Sequence, residues 1–185
     1  MYQRFSRPDR YFARCGHLDA AVNEHTIDGA PPFMRGLRAV FVADTHVLRR
    51  TTRAELAAGA RLVVRERLMT HGDQRAISTY VVNLNGKGSS ADVVSRSVAR
   101  DNSYQKFDAK LVGSAECSGH TECDSIIMDN GRILAVPGLE ANDVDAALVH
   151  EAAIGKIAGD QLIKLMTLGL TEHEAEEQII NGFLK

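Results

Sequence analysis

A succession of short β-branched runs, each closed by a turn signal, constrains the fold of this chain more than any other feature. Residues 38–42, with Val40 and Val42, and residues 61–65, with Val63 and Val64, are compact runs of this kind. Residues 77–84 form a longer, partly alternating stretch, and 91–98, 107–112, 125–128 and 132–136 repeat the theme. Between them stand His71-Gly72-Asp73, Asn85-Gly86-Lys87-Gly88, Asp101-Asn102 and Asp129-Asn130-Gly131, groupings that break regular structure and turn the chain. Asn130-Gly131 reads as a tight hairpin, because this pair readily supplies the positive φ angles such a turn requires. Many short strands punctuated in this way fit a sandwich, a barrel or a β-solenoid. No strict repeat period is visible, so the pattern leaves the three open. Residues 53–60 are a candidate helix among the early strands, or, with Gly59 near the end, only a turn.

The C-terminus changes character. Residues 160–168 place Leu162, Leu165 and Met166 on one helical face, and Gly169 follows as a helix stop. Thr171-Glu172-His173-Glu174 has the form of a capping box, in which the Thr171 hydroxyl accepts from the Glu174 amide and the Glu174 carboxylate accepts from the Thr171 amide. Ala175, Ile179, Ile180 and Phe183 then share a face, and the short joining segment predicts an antiparallel helix pair. Such a pair either seals the end of an apolar β-core or offers a docking surface; the two roles are compatible.

Composition sets milder limits. A chain of 185 residues suits one domain with a real core. Its net charge of −2, with no basic stripe, argues against a nucleic-acid binder. Residues 1–24 scatter arginines and acids without an apolar segment, which argues against a secretory signal. No uncharged apolar run approaches the roughly 18 residues of a membrane span. Three cysteines suit free thiols in a reducing compartment better than a disulfide framework. The expectation is a cytoplasmic protein without nucleic-acid or membrane partners.

The chemistry-bearing residues gather late, in Cys117-Ser118-Gly119-His120-Thr121-Glu122-Cys123-Asp124-Ser125 and in His150-Glu151. Thiol, imidazole and carboxylate are the ligand types that hold iron or zinc. In a strand, Thr121, Cys123 and Ser125 share one face while Glu122 and Asp124 take the other. A partner for Cys123 must therefore come from elsewhere, and His150-Glu151 is a plausible source if the chain folds back once. The commonest fate of a free cysteine is nonetheless that of a buried small hydrophobe. Cys117 and Cys123 form C-x5-C, or C-x2-H-x2-C with His120, an unusual ligand set for zinc. Cys15-Gly16-His17 reads as a loop or core pair.

A conventional cluster takes four thiolates, and three are present, so the chain alone would need His150, Glu151 or His120 as ligands, or a second subunit. Incomplete ligation suits a scaffold that must release its cluster. Other chemistries fail on pattern. Neither Asn85-Gly86-Lys87-Gly88-Ser89-Ser90 nor Gly155-Lys156-Ile157 is a phosphate loop. No G-x-S-x-G elbow occurs, and His150-Glu151-Ala152-Ala153-Ile154 lacks the second histidine of a zincin. The absence of tryptophan leaves the chain poorly equipped for a carbohydrate-active β-helix.

These residues resemble the SufB/SufD family of iron–sulfur assembly scaffolds, closely from Asn83 onward. Leu84-Asn85-Gly86-Lys87-Gly88-Ser89-Ser90-Ala91 looks like the family's glycine-serine turn. Cys123-Asp124-Ser125 is similar to the stretch bearing the essential cysteine of B-type subunits, and Pro137-Gly138-Leu139-Glu140-Ala141 resembles a Pro-Glu-Leu-Glu segment with Gly138 in place of the first glutamate. His150-Glu151-Ala152 matches the B-type pattern, whereas D-type subunits have glycine after the histidine. Gly155-Lys156-Ile157 through Gly169, and Asn181-Gly182-Phe183-Leu184, look like the family's helical tail.

The resemblance implies a right-handed parallel β-helix over residues 1–145 and a C-terminal helical hairpin over 146–185, together one domain. It implies a non-enzymatic scaffold for a transient iron–sulfur cluster, working with a SufC-type ATPase that docks on the helices, and with a sulfur donor. Cys123 would accept sulfur or ligate the nascent cluster. Glu151 and His150 would be iron ligands or tune the thiol, with His120 and Cys117 behind them. The chain is shorter than usual family members and closer to short scaffolds expected to form homodimers. The alternative is a structural or regulatory module that docks the ATPase without building clusters.

Overall fold

Every second residue of strand β6 (Arg75–Leu84) is buried, from Ala76 through Ser78, Tyr80 and Val82 to Leu84, the period-2 signature of a sheet with one face in the core and one in solvent. The computed structural model describes residues 10–14, 18–27, 37–42 and 45–185, with side-chain environments from Leu48 onward. Cys15 and His17 lie outside the described residues. The remaining strands are β1 (Arg10–Arg14), β2 (Leu18–Ile27), β3 (Leu37–Val42), β4 (Thr45–Leu56), β5 (Arg61–Thr70), β7 (Ser89–Ala99), β8 (Tyr104–Gly113), β9 (Cys117–Ile127), β10 (Arg132–Ala141) and β11 (Ala146–Gly155). Two helices follow, α1 (Gly159–Thr167) and α2 (Glu172–Phe183).

Odd-numbered strands form one parallel sheet in the order β1-β3-β5-β7-β9-β11, and even-numbered strands form a second, β10-β8-β6-β4-β2. The chain thus alternates between two sheets and stacks each strand on the one two places earlier, which makes a parallel β-solenoid. Of the three all-β architectures compatible with the pattern, this is the one found. The register explains why no repeat is legible in the sequence: Glu66, Ser95, Cys123 and Ala152 stack in one ladder, and Arg50, Ser78, Phe107 and Ala135 in another. Each ladder position keeps its inward direction but changes residue type from coil to coil.

The core lies between the sheets and joins Leu56, Leu62, Val64, Val82, Leu84, Val93 and Leu111 with Tyr80, Phe107, Cys117 and Cys123. Each fully buried Val or Leu contributes about 1.5–3 kcal/mol over exposure. A polar knot interrupts it. Arg50 is hydrogen-bonded to Glu66 and Tyr80, while the Ser78 and Ser95 hydroxyls each donate to Glu66 at 2.6 Å. Burial alone would raise the Glu66 pKa, but the Arg50 charge and these donors outweigh it and hold the carboxyl below its ordinary value.

Several local expectations are corrected. Residues 53–60 are not helical: β4 runs to Leu56, and a turn with positive φ at Gly59 leads into β5. Asp129-Asn130-Gly131 is not a hairpin, because β10 pairs with β8 in parallel rather than with β9. It is a solenoid corner whose positive φ falls on Asp129. Gly131 is needed there for close approach, since a Cβ would lie 2.5 Å from the Ala99 carbonyl oxygen. The helical segment begins at Gly159, not at 146, because residues 146–155 form β11, which is in full register with β9.

The C-terminal helices follow their sequence signals. α1 ends ahead of Gly169, whose φ is +98°. The capping box at Thr171 and Glu174 is complete. α2 inserts Ile180 against Val98 and Met128, and Arg100 donates to Glu177 at 2.7 Å. α1 buries no residue and leaves Ile163, Met166 and Leu168 exposed. Among the described residues no helix is long and apolar enough to cross a membrane.

Candidate functional site

Strand β9 positions the chemistry, and its alternation divides it. Cys117, Gly119, Thr121, Cys123 and Ser125 are buried on the inner face, while His120, Glu122 and Asp124 are only partly buried on the outer one. Cys117 and Cys123 share the inner face but stand about 20 Å apart along an extended strand. They do not converge on one ion, and His120 lies on the other side. The compact C-x2-H-x2-C grouping is therefore dispersed by strand geometry.

On the inner face, Cys123 is 1% exposed, flanked in register by Ser95 of β7 and Ala152 of β11. Burial pushes its thiol up, the Ser125 hydroxyl at 3.7 Å opposes this, and the fields of Glu66 and Asp124 add to the rise. His150 pairs with Thr121, and its Nδ1 is 2.7 Å from the Thr121 hydroxyl. His150 and Cys123 are thus diagonal neighbours on the inner face of adjacent strands. Burial, and then the charge of His120, hold the His150 imidazole below its ordinary pKa. Cys117 sits at the start of β9, close to Gly113, and burial raises its thiol too.

On the outer face, Glu151 is in register with Glu122, one strand over. His120 bridges two carboxylates, with Nδ1 at 3.0 Å from Asp92 and Nε2 at 3.2 Å from Glu151. Asp92 is in turn bound by Arg65. The hydrogen bond to Asp92 raises the His120 pKa, burial opposes it, and Glu151 adds to the rise. Glu122 is raised chiefly by sharing a hydrogen bond with Asp124, then by burial. Ligand atoms of His120, Glu122 and Glu151 lie within 4.8 Å of one another.

The structure therefore brings Cys123 near His150, and Glu151 near His120, with the sheet between the two pairs. Glu122 is the residue that reading for ligands passed over. Its signal was present: an i, i+2 pairing with His120 on a strand places the two side by side.

Comparison with known proteins identifies the family of the chain. Residues 39–183 match the family described as SUF system FeS cluster assembly, SufBD core domain. An iron–sulfur cluster assembly SufBD family protein of Methanothermobacter thermautotrophicus is 44% identical over 105 residues, 56% of this chain and 26% of that protein. One from Methanocaldococcus jannaschii is 39% identical over 105 residues, 56% of this chain and 33% of that protein. A Staphylococcus saprophyticus relative is 31% identical over 100 residues, 52% of this chain and 22% of that protein. The chain thus matches about a quarter to a third of the length of these relatives. Cys123, His150 and strands β4 to β11 lie within the matched residues, and the chain belongs to the SufBD core-domain family of the SUF iron–sulfur cluster assembly system.

Proposed function

We propose that this chain is a scaffold component of iron–sulfur cluster assembly, on which a nascent cluster or its sulfur is held transiently as cargo. The observation that carries the reading is the placement of Cys123 and His150 as diagonal neighbours on the inner face of β9 and β11, in a core whose family is described by cluster assembly. A thiol and an imidazole on adjacent strands are two ligands of an incomplete set. Holding a cluster loosely enough to release it requires such incompleteness, because four thiolates would close the coordination.

The remaining ligands come from outside this pair. β10 and β11 end their sheets with a free edge, and Leu134, Val136, Leu139, Val149 and Ile154 are exposed on them. Unpaired strand edges with apolar side chains favour pairing with another chain, and a second copy there would make a homodimer with the cluster region at its seam. A separate SufC-type ATPase would dock on the C-terminal helices, where α1 leaves Ile163, Met166 and Leu168 uncovered. Its nucleotide cycle would shift the seam. A sulfur donor protein would load Cys123.

A second reading is favoured by one observation. At 1% exposure, with its thiol raised by burial, Cys123 also has the environment of a structural core cysteine. In that case the chain would dock the ATPase without building clusters.

Anaerobic loading with a cysteine-derived persulfide donor, followed by mass spectrometry of Cys123, separates the two. A persulfide on Cys123 when the ATPase partner and nucleotide are present supports the scaffold. An unmodified Cys123 under every loading condition supports the docking module.

A further inference from the structure

Between the two sheets lies a cavity of about 10 Å3, lined by Glu66, Ser78, Ser95, Ser97, Gln105 and Phe107 among others. The five polar residues named are each 3% exposed or less. They come from three successive coils: Glu66 from β5, Ser78 from β6, Ser95 and Ser97 from β7, and Gln105 from β8. One water molecule needs about 10–15 Å3 and two to four polar partners. The cavity meets the first requirement at its lower bound, and its lining meets the second.

The hydrogen bonds around it select the occupant. Ser95 donates to Glu66 Oε2 at 2.6 Å, and Ser78 donates to Glu66 Oε1 at 2.6 Å. Gln105 donates through Nε2 to Thr70 Oγ1 at 2.9 Å and to the Val98 carbonyl oxygen at 2.8 Å. These donors are therefore taken, and what remains is acceptor capacity on Gln105 Oε1, Ser95 Oγ and Glu66 Oε2. Buried polar atoms without a partner are destabilising, so this lining calls for a molecule that donates. An anion offers only lone pairs and would face the Glu66 carboxylate. A bare cation would lose its hydration where Arg50 already balances Glu66. Water is neutral, has two donors and has the size of the cavity.

We propose that this cavity is a binding site for one structural water molecule, which donates to Gln105 Oε1 and to Glu66 Oε2 or Ser95 Oγ. Backbone ladders join each coil only to its neighbours. The water ties the coil of Glu66 to that of Gln105, with one coil between them, through the polar part of the interior. Ser97 extends the connection, because its hydroxyl is 2.9 Å from that of Ser125, which is 3.7 Å from Cys123 Sγ. Two hydroxyls thus link the water site to the thiol. The site goes beyond the scaffold reading and does not depend on it, because Cys123 is not one of its partners.

The test combines a crystal structure of the wild-type chain, grown with Rb+ as the sole added alkali cation, with oxygen-17 magnetic relaxation dispersion, which counts waters held longer than the protein takes to tumble. Dispersion is recorded for wild type and for Ser97→Val, which puts a methyl-bearing side chain without hydrogen bonds at the cavity wall and keeps a strand-forming residue there. The expected result is one density peak about 2.5–3.0 Å from Gln105 Oε1 and from Glu66 Oε2 or Ser95 Oγ. It carries no anomalous rubidium signal, and Ser97→Val loses one long-lived water. A well-ordered lining with no density peak in wild type, a rubidium signal at the position, or equal water counts in wild type and folded Ser97→Val would overturn the site. The wild-type density decides the question even where the variant folds poorly. Neither measurement reads persulfide or cluster at Cys123, so this site and the scaffold reading fail separately.

Discussion

Cys123 and Glu151 stand on neighbouring strands yet project to opposite faces of one sheet, because Glu151 is in register with Glu122 rather than with Cys123. Ala152 occupies the place beside the thiol, and His150 the place diagonal to it. A residue pair that reads as one site in sequence is therefore two half-sites separated by the thickness of a β-sheet. The account of this protein turns on that separation: a thiol–imidazole pair on the inner face and an imidazole–carboxylate group on the outer one.

Burial of Cys123 sets its reactivity. With 1% exposure and a thiol raised by burial, the thiolate fraction at neutral pH is below that of a free cysteine, and the thiolate is the reactive species. Site-resolved alkylation with iodoacetamide at pH 7 should label Cys123 at least 10-fold more slowly than an unstructured cysteine peptide. Labelling at the free-peptide rate would show that the inner face opens to solvent in the isolated chain.

The Arg50–Glu66 pair should dominate the response of the core to mutation. Removing one member deprives the other, buried charge of this ion pair, which costs about 3–5 kcal/mol. Glu66→Leu or Arg50→Met alone should lower the urea midpoint sharply. The double variant should recover most of the loss, because both desolvation penalties then disappear. Urea titrations of the three variants check this; additive losses in the double variant would contradict it.

Glu66 also predicts an acid limb. Against burial, its folded-state pKa is held below the ordinary carboxylate value by the Arg50 charge and by hydrogen bonds from Ser78, Ser95 and Arg50. A depressed carboxylate contributes stability that is present above the unfolded value of about 4.3 and is lost as pH falls toward the folded value. Chemical denaturation between pH 2 and pH 6 should show falling stability below about pH 4.3. Glu66→Gln should be less stable near neutrality and should flatten that part of the slope. An equal slope in both proteins would place the acid sensitivity elsewhere.

Docking of α2 combines a cap, an apolar insertion and an ion pair. Thr171 closes the capping box, Ile180 fills the space beside Val98 and Met128, and Arg100 holds Glu177. Loss of an N-cap hydroxyl costs about 1 kcal/mol, and Ile→Ala at a buried site about 2–5 kcal/mol. Hydrogen exchange should show faster exchange confined to α2 in Thr171→Ala. In Ile180→Ala the whole helix should exchange early while the β7–β9 amides stay protected. Loss of protection in β9 would mean that the helix supports the solenoid itself.

Much of this architecture is legible in the sequence, for identifiable reasons. Turn residues at Gly72, Gly86, Asp101 and Asp129 mark the ends of successive strands because each corner must reverse the chain in few residues. The capping box and Gly169 mark the helices because backbone groups at helix ends need local partners. Two things are hidden. Residues 53–60 look helical because Ala and Leu favour helices, but pairing of β4 with β6 on one side and β2 on the other overrides that preference. Asn130-Gly131 looks like a hairpin because turn chemistry is read locally, while the parallel partner of β10 lies a full coil earlier. For the site, strand alternation correctly separates Cys123 from Glu122. What it does not give is the register of β11, and a slip of one residue there would have put Glu151, not His150, on the side of the thiol.

Anaerobic reconstitution with iron and sulfide tests the central claim most directly, with visible absorption and bound iron recorded for wild type and Cys123→Ser. The account predicts cluster absorption bands in the wild-type protein, alone or with the proposed SufC-type ATPase, and their loss in Cys123→Ser. Bands of equal intensity in Cys123→Ser, or no cluster in the wild type under either condition, would contradict it.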